Sequence, residues 1–383
     1  MAVAVARSGF SVAVIDSADL SKTATKNFDG RVSAITLTSR RILENIGVWA
    51  GLKENAGPIS HIRISDGDSH LFLDYDAKMI SDEPMGHIVE NRFIRENLLA
   101  AAREYPNLEI FAPAHYEKIT YHPEQVEVSV NGATILAKLL IAADGKKSKI
   151  AAQAGIKPVI RDYGQDGIVC TVRHEKNHQN TACERFLPAG PFAILPMQGG
   201  HHSSLVWTEK RALTPLFLQM DNENFTREVE KRFGNYLEKL EVIEPRFSFP
   251  LALYHAKRYI SHRLALIGDA AHSIHPVAGQ GLNLGIRDAA VLAELLIGQR
   301  NLGLDLGSSI MLEKYQDLRK GDNLLMMSVT DGLNHLFSNS IAPLKLARDI
   351  GLAAVNKTPP IKKFFMLHAI GAIGHQPKLA LAG

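Results

Sequence analysis

Cysteine is nearly absent: the 383-residue sequence has two, Cys170 and Cys183, with no CxxC spacing. Neither a disulfide framework nor a zinc site is indicated, and a reducing compartment fits. Long apolar runs are also missing. No stretch reaches the roughly 18 consecutive apolar residues that span a bilayer, and MAVAVARSG has neither the basic start nor the long apolar core of a secretory signal. Charge of one sign is scarce as well. Lys and Arg total 43 against 40 Asp and Glu, a formal net charge of +3, and the basic residues are scattered. That pattern argues against nucleic acid as a partner. The sixteen histidines form no HExxH pattern, and neither His201-His202 nor His272-x-x-His275 has a carboxylate at ligand spacing. No metal centre is read. Internal repeats and low-complexity segments are absent, which excludes a solenoid or a linker protein.

What is present is ordinary globular material, 46% hydrophobic and 22% charged, long enough for two domains with buried cores. Residues 33–52, SAITLTSRRILENIGVWAGL, carry apolar residues at helical spacing, and a surface helix is expected there. Residues 59–76 alternate around the turn Asp66-Gly67-Asp68, a hairpin. A second strand-rich block runs from about 159 to 253, α/β pattern returns at RLALIGDAAH, and beyond Gly307 the chain reads as helical. The fold class is therefore α/β, with two insertions that together make one β-sheet domain and with helices at the end.

Two stretches point to a nucleotide-like ligand. In MAVAVARSGFSVAVID, a small-residue helix, a Ser8-Gly9 turn and a buried strand ending at Asp16 make the second half of a dinucleotide-binding βαβ unit. Its acid holds a ribose hydroxyl, and a Gly-rich loop is expected about 20 residues earlier. In RLALIGDAAHSIHPVAGQGLNLGIRDAAVLAELL, a buried strand from Leu264 to Ile267 delivers Gly268-Asp269 at its C-terminal end. The loop with Pro276, Gly279 and Gly281 follows, and a helix starts near Leu282. Glycines let backbone N–H groups approach a flat ligand, and a helix N-terminus favours an anion forming on it.

The second stretch resembles the GD motif of the aromatic-ring flavoprotein monooxygenases, the family of p-hydroxybenzoate hydroxylase. LLIAADGKKSKI, residues 139–150, resembles the family's DG motif, and FDGRVSAI, residues 28–35, resembles the segment whose Arg contacts FAD. Within the family the match is to the ubiquinone-biosynthesis hydroxylases, through HIVENRFIRENLL, FLPAGPFAILPM with SSLVWTE, and the closing ARDIGLAAVNKTPPIKKFFMLHAIGAIG. The resemblance covers nearly the whole chain. It implies a Rossmann-like FAD-binding domain made of residues 1–58, 87–158 and 256–306, a β-sheet substrate domain of 59–86 and 159–255, and a helical region of 307–383. It places Asp16, Arg31, Asn91, Asp144, Gly145, Gly268, Asp269, Pro276, Gly279, Gly281, Leu282 and Asn283 against FAD, with Pro276, Val277 and Gly279 beside the reacting ring. Ala151 departs from the basic residue common after the DG motif, and the GxGxxG loop is missing. The expectation is that Met1 is an internal methionine and that the functional protein has about 20 further residues before it.

The chemistry implied is hydroxylation of an electron-rich phenol by a C4a-hydroperoxide formed when FAD, reduced by NAD(P)H, meets O2, in a site kept dry by its apolar walls. His272 and His275 are the candidate proton acceptors, both read first as structural. The substrate implied is a polyprenylated phenol. Residues 357–374 set Lys357, Lys362 and Lys363 beside Ile361, Phe364, Phe365 and Ile370, so peripheral contact with the inner face of the cytoplasmic membrane is expected of a cytoplasmic protein. A ubiquinone-biosynthesis complex or a homo-oligomer is the protein partner left open. Two alternatives stand beside this reading: a flavin hydroxylase of a soluble aromatic, and a non-catalytic scaffold member of a biosynthetic complex. A flavin halogenase is disfavoured, because Trp49 and Trp207 cannot make a WxWxIP signature.

Overall fold

The computed structural model describes residues 1–20, 30–67, 69–234, 236–275, 279–338 and 342–381. Phe28, Asp29, Asp68, Pro276 and Val277 thus lie outside the described residues.

Short runs rich in aliphatic residues form parallel strands. Val12–Ile15 pairs in parallel with Leu108–Phe111, and Leu140–Ala142 pairs in parallel with Leu264–Leu266. Among the described residues no strand joins the two pairs. The helix Ala2–Arg7 packs its buried Val3 to Ala6 into a core shared with the long helix Gln280–Asn301 through Val291, Leu292 and Leu296. Full burial of side chains of that size is worth about 1.5–3 kcal/mol each.

The strand-rich segments join in one eight-stranded sheet. Its central strand, Pro158–His174, runs antiparallel to His202–Lys210 on one side and Leu240–Ala256 on the other. The hairpin of His61–Asp66 and Phe72–Asp76 joins the far edge, where Thr181–Leu187 pairs in parallel with His61–Asp66. The insertions at 61–76 and 158–256 thus build a single surface, and His272–Ser273 adds a short strand to its other edge.

The stretch 33–52 is not one helix. Val32–Thr36 is a strand paired antiparallel to Gly86–Glu90, and the helix begins only at Leu37, with the Thr36 hydroxyl accepting from the Ser39 N–H. Tertiary pairing overrides the helical spacing of the first residues, and the Thr cap sets the start. Among the described residues beyond Gly307 lie three α-helices, Ser309–Phe337, Ala342–Lys357 and Pro359–Ala369. The last buries Met366, followed by Ile370, against Leu37, Leu73 and Tyr75, which roofs the hairpin end of the sheet.

Candidate active site

The parallel register of Leu140–Ala142 with Leu264–Leu266 brings two Asp-Gly segments side by side. Ala142 is level with Leu266, and the Ile267 N–H donates to the Ala142 carbonyl at 3.0 Å. Asp144-Gly145 and Gly268-Asp269 therefore leave the C-terminal ends of adjacent strands, where ligands bind in open α/β sheets. Asp144 and Asp269 are both exposed. Gly145 and Gly268 have φ of +85° and +57°, values that L side chains rarely adopt.

Gly279 caps the helix Gln280–Asn301 in a left-handed conformation, φ +60°, and a Cβ there would lie 2.9 Å from that of Ala34. One turn further, a Cβ on Gly285 would approach the Gly268 Cα to 3.1 Å, so strand end and helix touch backbone to backbone. Gly281 meets nothing within 4 Å on its missing Cβ side and lines the open cavity, which leaves the first helical N–H groups accessible to a ligand. Asn283 does something different: its Nδ2 donates to the Ala34 and Gly279 carbonyls at 2.7 and 2.9 Å, and its Oδ1 accepts from the Thr36 N–H at 3.0 Å. Its buried amide fastens the helix start to the strand Val32–Thr36.

Asn91, Gly268, Asp269, Gly279, Gly281 and Leu282 line one cavity of about 1190 Å³. The Asn91 Oδ1 accepts from the Ser33 hydroxyl at 2.6 Å, and the Asn91 N–H donates to the Arg31 carbonyl at 3.0 Å. The Arg31 guanidinium lies 5.6 Å from the Phe249 ring centre. Asp16 ends the strand Val12–Ile15, with its Oδ1 accepting from the Ala18 N–H at 2.8 Å. Away from the Gly268 loop the cavity runs between the sheet and the last three helices, past Ile62, Leu73 and Phe186 to Leu333, Leu352 and Val355.

Behind the Gly268 loop is a buried ionic network that the sequence reading missed. Asp288 Oδ2 accepts from the Gly268 N–H at 3.0 Å and from His272 Nε2 at 2.6 Å, while its Oδ1 accepts from Arg319 Nε at 2.8 Å. Arg319 also reaches Asp322 and Asn323, at 2.6 and 2.7 Å. Burial works against the Asp288 charge, but His272 and Arg319 outweigh it and hold the carboxyl well below the usual range. The signal for it was an Arg287-Asp288 pair inside an otherwise apolar helix sequence.

His272 is thus committed to Asp288. His275 is 1% exposed, stands edge-on to Tyr163 with ring centres 5.1 Å apart, and neither ring nitrogen has a partner among the described residues. Burial is the main cause that brings its pKa down from 6.5 to about 4.

The strand ends, the glycine-capped helix and the exposed aspartates suit a ligand with a sugar chain and a flat ring, and comparison with known proteins names its kind. A family described as "FAD binding domain" matches residues 1–319. The chain belongs to this FAD-binding family. It is 46% identical over 386 residues to a protein named ubiquinone hydroxylase UbiL of Rhodospirillum rubrum, covering 100% of this chain and 90% of that one. It is 31% identical over 374 residues to the 3-demethoxyubiquinol 3-hydroxylase of Escherichia coli, covering 97% and 95%. Among solved structures, p-nitrophenol 4-monooxygenase PnpA from Pseudomonas putida superposes with a TM-score of 0.79 at 19% identity over 96% of this chain and 94% of that one. That last likeness is one of fold. FAD is the cofactor of the family, and the chain is a flavoprotein monooxygenase.

Proposed function

We propose that the protein hydroxylates the aromatic ring of a polyprenylated phenol, a ubiquinone precursor, using O2 and FAD reduced by NAD(P)H. The observation that carries this reading is the shape and chemistry of the cavity. The cavity of about 1190 Å³ takes the flavin ring at its glycine end and continues past it, and from the Gly268 loop outward its walls are chiefly Ile, Leu, Val and Phe. A phenol set beyond the flavin ring would leave its isoprenoid tail between the sheet and the terminal helices. The names of the relatives, ubiquinone hydroxylase and 3-demethoxyubiquinol 3-hydroxylase, agree with such a substrate.

In this reading Asp16, Arg31 and Asn91 hold the nucleotide half of FAD and Asp144-Gly145 its pyrophosphate. Asp269 takes the hydroxylated side chain, and Gly279, Gly281 and Leu282 bring helix N–H groups to the ring edge. Pro276 and Val277, outside the described residues, are assigned from the sequence alone to the reacting-ring side of the flavin. Asn283 acts by fixing the helix start. The bound flavin supplies oxygen activation; the chain's own residues orient the phenol and keep water away from it.

No described helix is long and apolar enough to cross a membrane. The substrate is lipid-borne, however, and the helix Pro359–Ala369, which lines the cavity through Phe365 and Ala369, has an outer side suited to a lipid interface. Phe364 and Ile361 are 52% and 47% exposed, close to exposed Lys357 and Lys363, while the same helix buries Met366 inward. One face serves the fold and the other is free for peripheral contact. The test of the function is turnover: the flavin-loaded protein with a prenylated phenol, a reduced pyridine nucleotide and O2 should yield a ring-hydroxylated product. Consumption of reductant with hydrogen peroxide as the sole product would contradict it.

A further inference from the structure

Glu184 is an anomaly in the cavity wall. It sits on the strand Thr181–Leu187 between Ala182 and Phe186, which share its face by the period of two, and all three line the cavity. Its cross-strand neighbours are Ile64 on one side and Ala193 on the other. No hydrogen bond or ion pair reaches its carboxyl group among the described residues; the residue is partly buried, and a carboxylate on an apolar surface is costly unless something pairs with it. The other charged or titratable groups on the cavity wall are Tyr75, Arg95, Cys183, Asp269 and Arg348. Arg348 is engaged with Asp66, its Nε 2.7 Å from Oδ2.

We propose that Glu184 is a catalytic residue that binds the substrate's phenolic hydroxyl and removes its proton. This rests on the phenol hydroxylase reading above. In the step, the ring O–H bond breaks and the proton passes to a Glu184 carboxylate oxygen. The electron pair stays on the phenolic oxygen and raises electron density on the ring carbons that accept oxygen. After oxygen transfer the carboxylic acid returns the proton to the product's oxygen. Burial pushes the Glu184 carboxyl up from 4.5 to about 7, which suits a base working near neutrality. The two histidines of the Gly268 loop are less suited: His272 is bound to Asp288, and His275 faces Tyr163.

The test uses the flavin-loaded protein, a short-chain prenylated phenol and the methyl ether of the same phenol, with wild type and Glu184→Gln. Wild type should bind the phenol about tenfold to a hundredfold more tightly than the ether, as a hydrogen bond to a charged group warrants, and E184Q should lose most of that preference. Hydroxylation by wild type should rise as pH passes about 7. E184Q should lose that rise and at least about a hundredfold in rate, with partial recovery on a fluorinated, more acidic phenol. Its melting midpoint should match or exceed that of wild type, since an unpaired carboxylate is removed. An E184Q protein that keeps both the phenol preference and the pH rise would overturn the role of Glu184. A wild type that hydroxylates no phenol would overturn the proposed function instead, and the phenol-to-ether comparison would still decide what Glu184 binds.

Discussion

The backbone N–H of Gly268 donates to Asp288 Oδ2 at 3.0 Å, and the opposite oxygen of that carboxylate is held by Arg319 at 2.8 Å. A charge on one helix, fixed by a second helix, thereby sets the position of the loop that presents Asp269 to the cavity. Arg319 and Asp288 are both fully buried, so neither can lose its partner to water.

Breaking the pair should therefore be severe. Asp288→Asn takes away the charge buried against Arg319 and His272, leaving Asp322 as the carboxylate that still reaches Arg319, and up to about 3–5 kcal/mol of stability should be lost, the range for a buried pair cut on one side. Urea denaturation measures the loss, and the flavin content of the purified protein should fall with it. A variant as stable and as yellow as wild type would remove the network from the account.

Close approach at the glycines makes a second expectation. Gly285→Ala places a Cβ 3.1 Å from the Gly268 Cα, and Gly279→Ala adds a left-handed alanine with a 2.9 Å contact to Ala34. Each should weaken FAD binding by about tenfold or more, equivalent to roughly 1.4 kcal/mol. Titration of apoprotein with FAD reads this directly, with Gly298→Ala, on the same helix with open space around it, as the control that should bind normally.

Three partly or fully buried histidines should make acid destabilising, against the opposite and smaller contribution of the single Glu184 carboxyl, whose pKa burial raises to about 7. His87, His255 and His275 each have a pKa brought down from 6.5 to about 4, with burial the largest cause. Between those values the unfolded chain's imidazoles bind protons that the folded chain's refuse, so the histidines' contribution to stability rises with pH across that window and levels off above 6.5. Melting midpoints should fall as pH is lowered from 6.5 toward 4, and the fall should be shallower in His275→Phe. A flat profile across the window would contradict the burial of these rings.

Membrane contact is tested by changing the exposed side of the helix Pro359–Ala369 and sparing its buried side. Ile361→Glu with Phe364→Glu should reduce co-flotation with anionic liposomes, since each apolar side chain inserted contributes on the order of 2 kcal/mol. Flavin content should not change. Undiminished flotation would assign lipid contact, if any is seen, to another surface.

How much of this was legible in the sequence depended on how local each feature is. Gly268-Asp269 and Asp144-Gly145 could be read because strand, acid and glycine are contiguous, and the parallel register then sets them side by side. The single helix expected over 33–52 failed at its start, because pairing of Val32–Thr36 with Gly86–Glu90 is not local. Asn283 stands in the motif expected against the cofactor, and the bonds of its amide to Ala34, Gly279 and Thr36 are invisible without the packing of strand on helix. Asp288 and Arg319 come from different helices, and nothing short of the folded chain could pair them. Glu184 was within reach: in Thr181–Leu187 an acid alternates with Ala182 and Phe186 on what becomes the cavity face.

Whether this chain uses FAD and O2 to hydroxylate a prenylated phenol is decided by one labelling measurement. The flavin-loaded protein is reduced, mixed with a prenylated phenol and isotopically labelled dioxygen, and the product is weighed by mass spectrometry. The account predicts a ring-hydroxylated phenol carrying one labelled oxygen atom. Recovery of unaltered phenol, with all of the dioxygen converted to hydrogen peroxide, would contradict it.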